Sequence, residues 1–348
     1  METQVPEEKP FPYPVGKLPL KDLSRLLGRY TREDPSVIVA PGIGKDATVI
    51  SFGDKYLVAK TDPITFATDQ IGWYGVNINA NDIAAMGGTP RWFLATLLLP
   101  EGKTGLKEVE EIFAQISGAC EELGIILCGG HTEITYGLGR PILVGQMLGE
   151  VEKGKLVSPD KIREGDEIIL TKGIAIEGTA LIAREWKPLR DRFEEGDIRQ
   201  YRNLLRSPGI SVVREARIAS EVAAVHAMHD PTEGGLATGL RELADAAGVG
   251  MLVEMDQIPV LPETALLCEE LKLQPLGLLA SGAMLIAVDR KDSEKVVRAL
   301  EKAGISASVV ARVWERKKGV KLADRGKVFD LPSFERDEVA RLFEGSGG

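Results

Sequence analysis

The sequence predicts an α/β protein of the α+β kind, with two domains, each a mixed or antiparallel sheet covered by helices. Three observations lead there. Segments of strand and helix periodicity alternate, but without a long parallel βαβ series. Each half holds strand pairs joined by tight turns, as where Gly53-Asp54 links 47–52 to 55–61. The composition also shifts at 153–165, a polar run with Gly154, Pro159 and Gly165 that reads as a domain boundary. The expected division is an N-terminal arm over 1–19, a first domain over 20–152 and a second over 153–348.

The first domain opens with a helix over 19–30, marked by Leu20, Leu23, Leu26 and Leu27. Strands follow at 36–40, 47–52 and 55–61. A long helix spans 69–86 and stops at Gly87-Gly88 before Pro90. A strand at 92–99, a helix at 106–123, a short apolar strand at 124–128 and a strand at 141–151 complete it. In the second domain, strands are expected at 167–171, 223–228, 250–255, 283–288 and 306–313. Helices are expected at 174–185, 211–222, 236–247, 262–271, 293–303 and 335–343. The charged stretch 187–202 mixes both signs and reads as a solvated helix or excursion rather than a binding patch.

Composition excludes several function classes. The 348 residues are 44% hydrophobic, enough for buried cores, and no apolar run reaches the length of a membrane span. The acidic, proline-rich N-terminus lacks the basic head and apolar centre of a signal peptide, so a cytoplasmic location is expected. A net charge of −9 argues against a nucleic-acid groove. Cys120, Cys128 and Cys268 are odd in number and widely spaced, as reduced thiols are.

Chemistry concentrates in glycine-rich turns. In 77–90, Asn77, Asn79, Asn81 and Asp82 stand among Ala80, Ala84, Ala85, Gly87 and Gly88, which leave room for close approach. Asp46 follows Gly42 and Gly44, Asp62 precedes Pro63, and Asp230 opens Asp-Pro-Thr-Glu-Gly-Gly. One aspartate beside Gly or Pro is usually a turn former or a cap. Four of them at strand ends or in glycine turns suit Mg²⁺, which takes oxygen ligands and bridges carboxylates to phosphates. Glycine turns let backbone N–H groups approach those phosphates. His131 and Glu133 follow Gly129-Gly130 and are read either as turn residues or as groups facing phosphate or substrate. His229 is read as pointing into the site. Lys45 and Lys60 could neutralise phosphate, although an exposed lysine is the default reading. Two phosphate-loop decoys fail. The fingerprint at 42–47 runs into a strand rather than a helix, and Gly102-Lys103-Thr104 lacks the upstream glycine.

Six motifs in order resemble the aminoimidazole ribonucleotide (AIR) synthetase, or PurM-like, superfamily. They are Gly-Ile-Gly-Lys-Asp-Ala (42–47), Thr-Asp-Pro (61–63), Asn-Asp-Ile-Ala-Ala-Met-Gly-Gly-Thr-Pro (81–90), Gly-Gly-His-Thr-Glu (129–133), His-Asp-Pro-Thr-Glu-Gly-Gly-Leu (229–236) and Ala-Ser-Gly-Ala (280–283). The match covers roughly 16–315. The resemblance implies a first domain that builds a barrel across a homodimer, a second domain with a mixed sheet packed by helices, and an ATP–Mg²⁺ site between them. It implies Asp46, Asp62, Asp82 and Asp230 as metal ligands. Gly42, Gly44, Lys45, Asn81, Gly129, Gly130, Thr232, Gly234 and Gly235 are implied at the nucleotide, and Glu133, His131 and His229 as candidate acids or bases. The superfamily chemistry is ATP-dependent phosphorylation of a carbonyl or amide oxygen, on a protein-borne or small-molecule substrate. The second half most resembles the hydrogenase-maturation branch, HypE, although the sequence ends Phe343-Glu-Gly-Ser-Gly-Gly without that branch's terminal cysteine. Two alternatives stand beside this reading, a non-catalytic nucleotide-binding regulator and a small-molecule kinase of the thiamine-monophosphate kinase type.

Overall fold

The computed structural model describes residues 13, 16, 18–40, 42, 46–334 and 336–344. Most of the expected N-terminal arm and the last four residues lie outside the described residues. The first half contains α1 (Leu20–Tyr30), β1 (Val37–Val39), β2 (Thr48–Phe52), β3 (Lys55–Ile64), α2 (Ile71–Ala85), β4 (Thr89–Pro100), α3 (Leu106–Leu123), β5 (Ile126–Thr135) and β6 (Ile142–Glu152). Its six strands form one sheet in the order β1-β2-β3-β6-β4-β5. Only the β4–β5 pair is parallel.

The second half contains β7 (Glu167–Thr171), α4 (Ile176–Glu185), α5 (Glu195–Asn203), α6 (Val213–Val222), β8 (Val225–His229), α7 (Gly235–Ala247), β9 (Gly250–Glu254) and α8 (Pro262–Leu271). It continues with β10 (Leu285–Val288), α9 (Arg290–Lys302), β11 (Ala307–Trp314), β12 (Val320–Asp324), β13 (Lys327–Asp330) and α10 (Glu338–Glu344). The sheet order is β13-β12-β9-β11-β7-β10-β8, mixed because β12 runs parallel to β9. β7 and β10 are buried along their whole length, with apolar clusters on both faces of the sheet. That explains their continuous apolar sequence in place of an alternating one.

Helix α2 is the partition between the halves. Every residue in it except Ile78 is buried. It lies on β3, β4 and β6 of the first sheet and also meets α3, α6 and β8. Glycines on β6 permit the approach: a Cβ on Gly145 would stand 2.4 Å from Asn79 Nδ2, and one on Gly149 2.3 Å from Ile83 Cγ2. The amides on α2 are engaged with backbone. Asn77 donates to Trp73 O, whereas Asn79 accepts from Asp62 N at 2.9 Å and donates to Gly75 O at 2.8 Å. Asn81 reaches the other half, donating to Ile210 O and accepting from Val212 N, both at 2.9 Å. At the start of α2, Glu185 from the second half accepts from Thr68 N and Asp69 N. One apolar cluster accordingly runs through both halves, from Tyr74 and Ile116 to Ile176 and Tyr201.

Several expectations differ from the fold. Residues 129–133, read as a turn, belong to edge strand β5, where Gly130 pairs with Ala95 and Glu133 with Leu98. β3 continues through Asp62 to Ile64, so Asp62 lies within a strand and not at its end. β12 and β13 were not expected: they are short, five and four residues, and only Leu322 of the two is buried. The stretch 187–202 does form a helix, α5 over Glu195–Asn203, but it is not simply solvated: Ile198 and Tyr201 are buried.

Asn81→Ala would leave two buried backbone groups unpaired, and an unpaired group costs about 1–3 kcal/mol. A stability loss of about 3 kcal/mol is expected in urea unfolding. A loss within error of zero would show that the two halves do not depend on this clamp.

A candidate carboxylate site between the halves

Each half delivers part of the site. β3 carries Lys60 and Asp62 two residues apart, hence on the same face, the one turned towards α2. α2 supplies Asp82, whose side chain lies 5% exposed in its packed layer. Asp46 comes from the loop before β2. His229 ends β8, Asp230 follows it at 2% exposure, and Glu242 stands on α7.

The geometry divides these groups in two. Lys60 Nζ lies 3.3 Å from Asp62 Oδ2 and 3.3 Å from Asp82 Oδ2. His229 Nδ1 lies 2.9 Å from Asp46 Oδ1, with its Nε2 3.4 Å from Glu242 Oε2. Asp46, His229 and Asp230 each offer a ligand atom within 4.8 Å of the others. Both Asp230 oxygens are buried without a hydrogen-bond partner among the described residues. A buried carboxylate in that state is costly unless a cation completes it, so the donor set fits a hard divalent ion. Oxygen donors suit that ion better than His229, whose two nitrogens already face carboxylates.

Electrostatics follow from burial and crowding. Burial pushes the Asp230 carboxyl up to about 7, helped by Asp46 and opposed by His229 and Lys60. Burial also raises Asp82 well above the carboxylate range, against the pull of Lys60. For His229, burial disfavours the charged ring, but Asp46 and Glu242 outweigh it and hold the pKa well above the histidine range. Burial likewise opposes the Lys60 ammonium, and Asp82, Asp62, Asp46 and Asp230 together outweigh it. Nearby, Glu177 at the start of α4 is raised by burial to about 7, with Oε2 unpartnered.

Not every expected residue joins this cluster. His131 and Glu133 are exposed, and His131 Nε2 lies 3.2 Å from Glu133 Oε2. The register Asp62–Gly145–Ala95–Gly130 puts their strand three strand spacings away, roughly 14 Å. It also turns both side chains to the sheet face opposite α2, so within one chain they stand apart from the aspartates. Gly129 and Gly130 share that edge strand, and Gly130 adopts φ +146° where a Cβ would collide with Ala95 O. Asn81 is engaged by the second half, as described. In the turn after Asp230, Gly234 N donates to Asp337 Oδ2 and Gly235 N to Thr232 O. Gly42 lies in the loop leading to Asp46, whereas Gly44 and Lys45 lie outside the described residues.

Three contributors escaped the sequence reading. Lys60 had the exposed reading as its default, yet its side chain is only 20% exposed; its two-residue spacing from Asp62 was the available signal. Asn79 fixes Asp62 through the backbone, which depends on a register that sequence alone does not supply. Glu242 carries no local signal.

Asp230, Glu177 and His229 all have raised values, so the folded chain holds protons that the unfolded chain releases. For Asp230 and Glu177 the stability of the metal-free protein falls as pH rises from the ordinary 3.8 and 4.5 towards about 7. His229 extends the fall above 6.5. Asp230→Asn should make this fall shallower in urea midpoints measured across that range without divalent ions. A slope identical to the wild type would count against the buried-carboxylate account.

Comparison with known proteins accords with this arrangement. Residues 44–151 match the family model of AIR synthase related protein, N-terminal domain, and residues 163–322 match that of its C-terminal domain. A protein of Methanocaldococcus jannaschii named for hydrogenase expression and formation is 30% identical over 283 residues, covering 79% of this chain and 81% of that one. Carbamoyl dehydratase HypE of Cupriavidus necator is 28% identical over 256 residues, covering 73% and 69%. The crystal structure of hydrogenase maturation protein HypE in complex with ATP superposes with a TM-score of 0.69 at 21% identity, covering 90% of this chain and 91% of that one. With both halves matched in order and a relative at this identity over four fifths of its length, the chain belongs to the AIR synthase related family.

Proposed function

We propose that this protein is an ATP- and Mg²⁺-dependent enzyme that phosphorylates a carbonyl or amide oxygen, with chemistry of the HypE type. The observation that carries the reading is the Asp46–Asp230 pair, with Asp230 buried and neither of its oxygens partnered among the described residues, in a chain similar to a carbamoyl dehydratase. Asp46 and Asp230 hold the divalent ion, while Asp62 and Asp82 set the negative field around it. His229, between Asp46 and Glu242, keeps Asp46 oriented. Bound Mg²⁺ would neutralise the polyphosphate charge. Gly42, Gly44, Lys45 and Thr232 are assigned to the nucleotide on the strength of the family motifs that contain them. The bond from the γ-phosphorus to ADP breaks as a bond to the substrate oxygen forms. Loss of that phosphate from a primary carboxamide, with its two N–H protons released, leaves a nitrile.

We further propose that the working unit is a homodimer closing a barrel over the first sheet. The sheet face opposite α2 carries Leu57, Leu94, Leu98, Val144 and Leu148, all partly exposed, and edge strand β5 adds exposed Ile126. A continuous apolar face of this kind is a protein-interaction surface. His131 and Glu133 point to it, so a role for them belongs to the dimer. Among the described residues no helix is long and apolar enough to cross a membrane.

Single-turnover experiments with labelled ATP and primary carboxamides test the reaction: phosphate release that depends on both Mg²⁺ and the amide is expected. Nucleotide binding with no release under any condition would sink the enzyme reading. Asp82→Asn should weaken Mg-ATP binding at least about tenfold with little loss of stability, because its carboxylate is buried at a cost. Unchanged affinity in calorimetry would remove Asp82 from the site. Leu98→Lys should convert dimer to monomer in light scattering, and a dimer that persists would contradict the barrel.

A further inference from the structure

We propose that Lys60 stands where a second divalent ion would otherwise sit, so that the cluster takes one ion, at Asp46 and Asp230, rather than two. This rests on the reading of the aspartates as a divalent-cation site. The four aspartates come from four separate segments and fall into two pairs. Asp62 and Asp82 converge on one ammonium, 3.3 Å from an oxygen of each. Asp46 and Asp230 have no lysine or arginine partner among the described residues.

An ion bridging Asp62 and Asp82 would need their Oδ2 atoms at about 2.1 Å. Those are the same two atoms that face Lys60. Two cations do not share that space, and the surroundings hold the ammonium in place. Its stem leaves the inward face of β3 two residues after Val58, which is fully buried, and two before Asp62. Asp62 is fixed in turn by Asn79, which accepts from its N–H. Asp82 rises from α2 opposite, so both carboxylates are presented to Lys60 by packed secondary structure. Asp230 differs in its partner rather than its burial: Asp82 faces the Lys60 ammonium, whereas neither Asp230 oxygen has a hydrogen-bond partner among the described residues, which leaves it as the place for an ion.

The arrangement gives Lys60 a chemical role. An ammonium fixed by two carboxylates is a permanent, non-exchangeable positive charge beside the exchangeable one. A phosphate bound between them meets one divalent ion and one point charge. The site then keeps its charge balance with less dependence on free metal concentration than a site built for two ions.

Mn²⁺ titration of the metal-free full chain without nucleotide, read by electron paramagnetic resonance of the free ion and by calorimetry, tests this. Wild type should bind one Mn²⁺ per chain. Lys60→Arg should also bind one, and Lys60→Met should bind two. An Asp62→Asn/Asp82→Asn double variant should still bind one, more weakly, and it keeps the test open should Lys60→Met fail to fold. Two ions in the wild type, one ion in a folded Lys60→Met, or none in the double variant would overturn the assignment of Lys60 while leaving the cation site standing. No Mn²⁺ bound by the wild type would overturn the cation site itself, and the proposal with it.

Discussion

Carboxylates buried against too few cations are the constraint on which the rest of this structure depends. Asp82 and Asp230 sit almost fully inside the protein, and burial raises both far above their ordinary values. Isolated buried carboxylates are expensive, and a protein retains them only where something compensates. Lys60 compensates two of the four aspartates and His229 one. What is left over, at Asp230, is an attraction for a ligand cation built into the folded state. An ion bound there, as proposed, would strengthen the fold by mass action as well as preparing the site.

Helix α2 makes this burial feasible. A helix buried on nearly all sides would normally be apolar throughout. Here its asparagines are held by backbone. Asn77 and Asn79 turn back to carbonyls one turn earlier, Asn79 also reads the backbone of Asp62, and Asn81 grips 210–212 in the other half. The carboxylate at Asp82 faces the Lys60 ammonium instead of backbone. The scaffold is thus fixed by amide hydrogen bonds, and the ionic chemistry is confined to the cleft where the two halves meet.

Much of the site was legible because each aspartate carries a local mark. Asp46 follows glycines, Asp62 precedes Pro63, Asp82 precedes small residues that let the helix pack, and Asp230 opens a proline–glycine turn. The two-sheet architecture was legible from period and turns, since β7 and β10 are unbroken apolar runs and α3, capped by Gly124, is amphipathic. What escaped depends on register. Gly129-Gly130 suggested a turn because glycine disfavours strands, but the β4 ladder overrides that preference and carries the chain through to Thr135. The same ladder decides that His131 and Glu133 turn away from the aspartates. Lys60 was obscured for a related reason: a lysine on a strand is exposed or buried according to which face the sheet covers.

The placement of the cluster has a consequence for how the parts cooperate. Asp46, Lys60, Asp62 and Asp82 belong to the first half, while His229, Asp230 and Glu242 belong to the second. Neither half alone assembles the pair of ligands at 46 and 230. The Asn81 clamp and the Glu185 cap at the start of α2 both cross the same boundary, so the contacts that set the spacing of the ligands also hold the halves together. In the proposed reading, an ion at Asp46 and Asp230 would join the halves directly and offset the mutual repulsion of the acidic groups that face each other across the cleft.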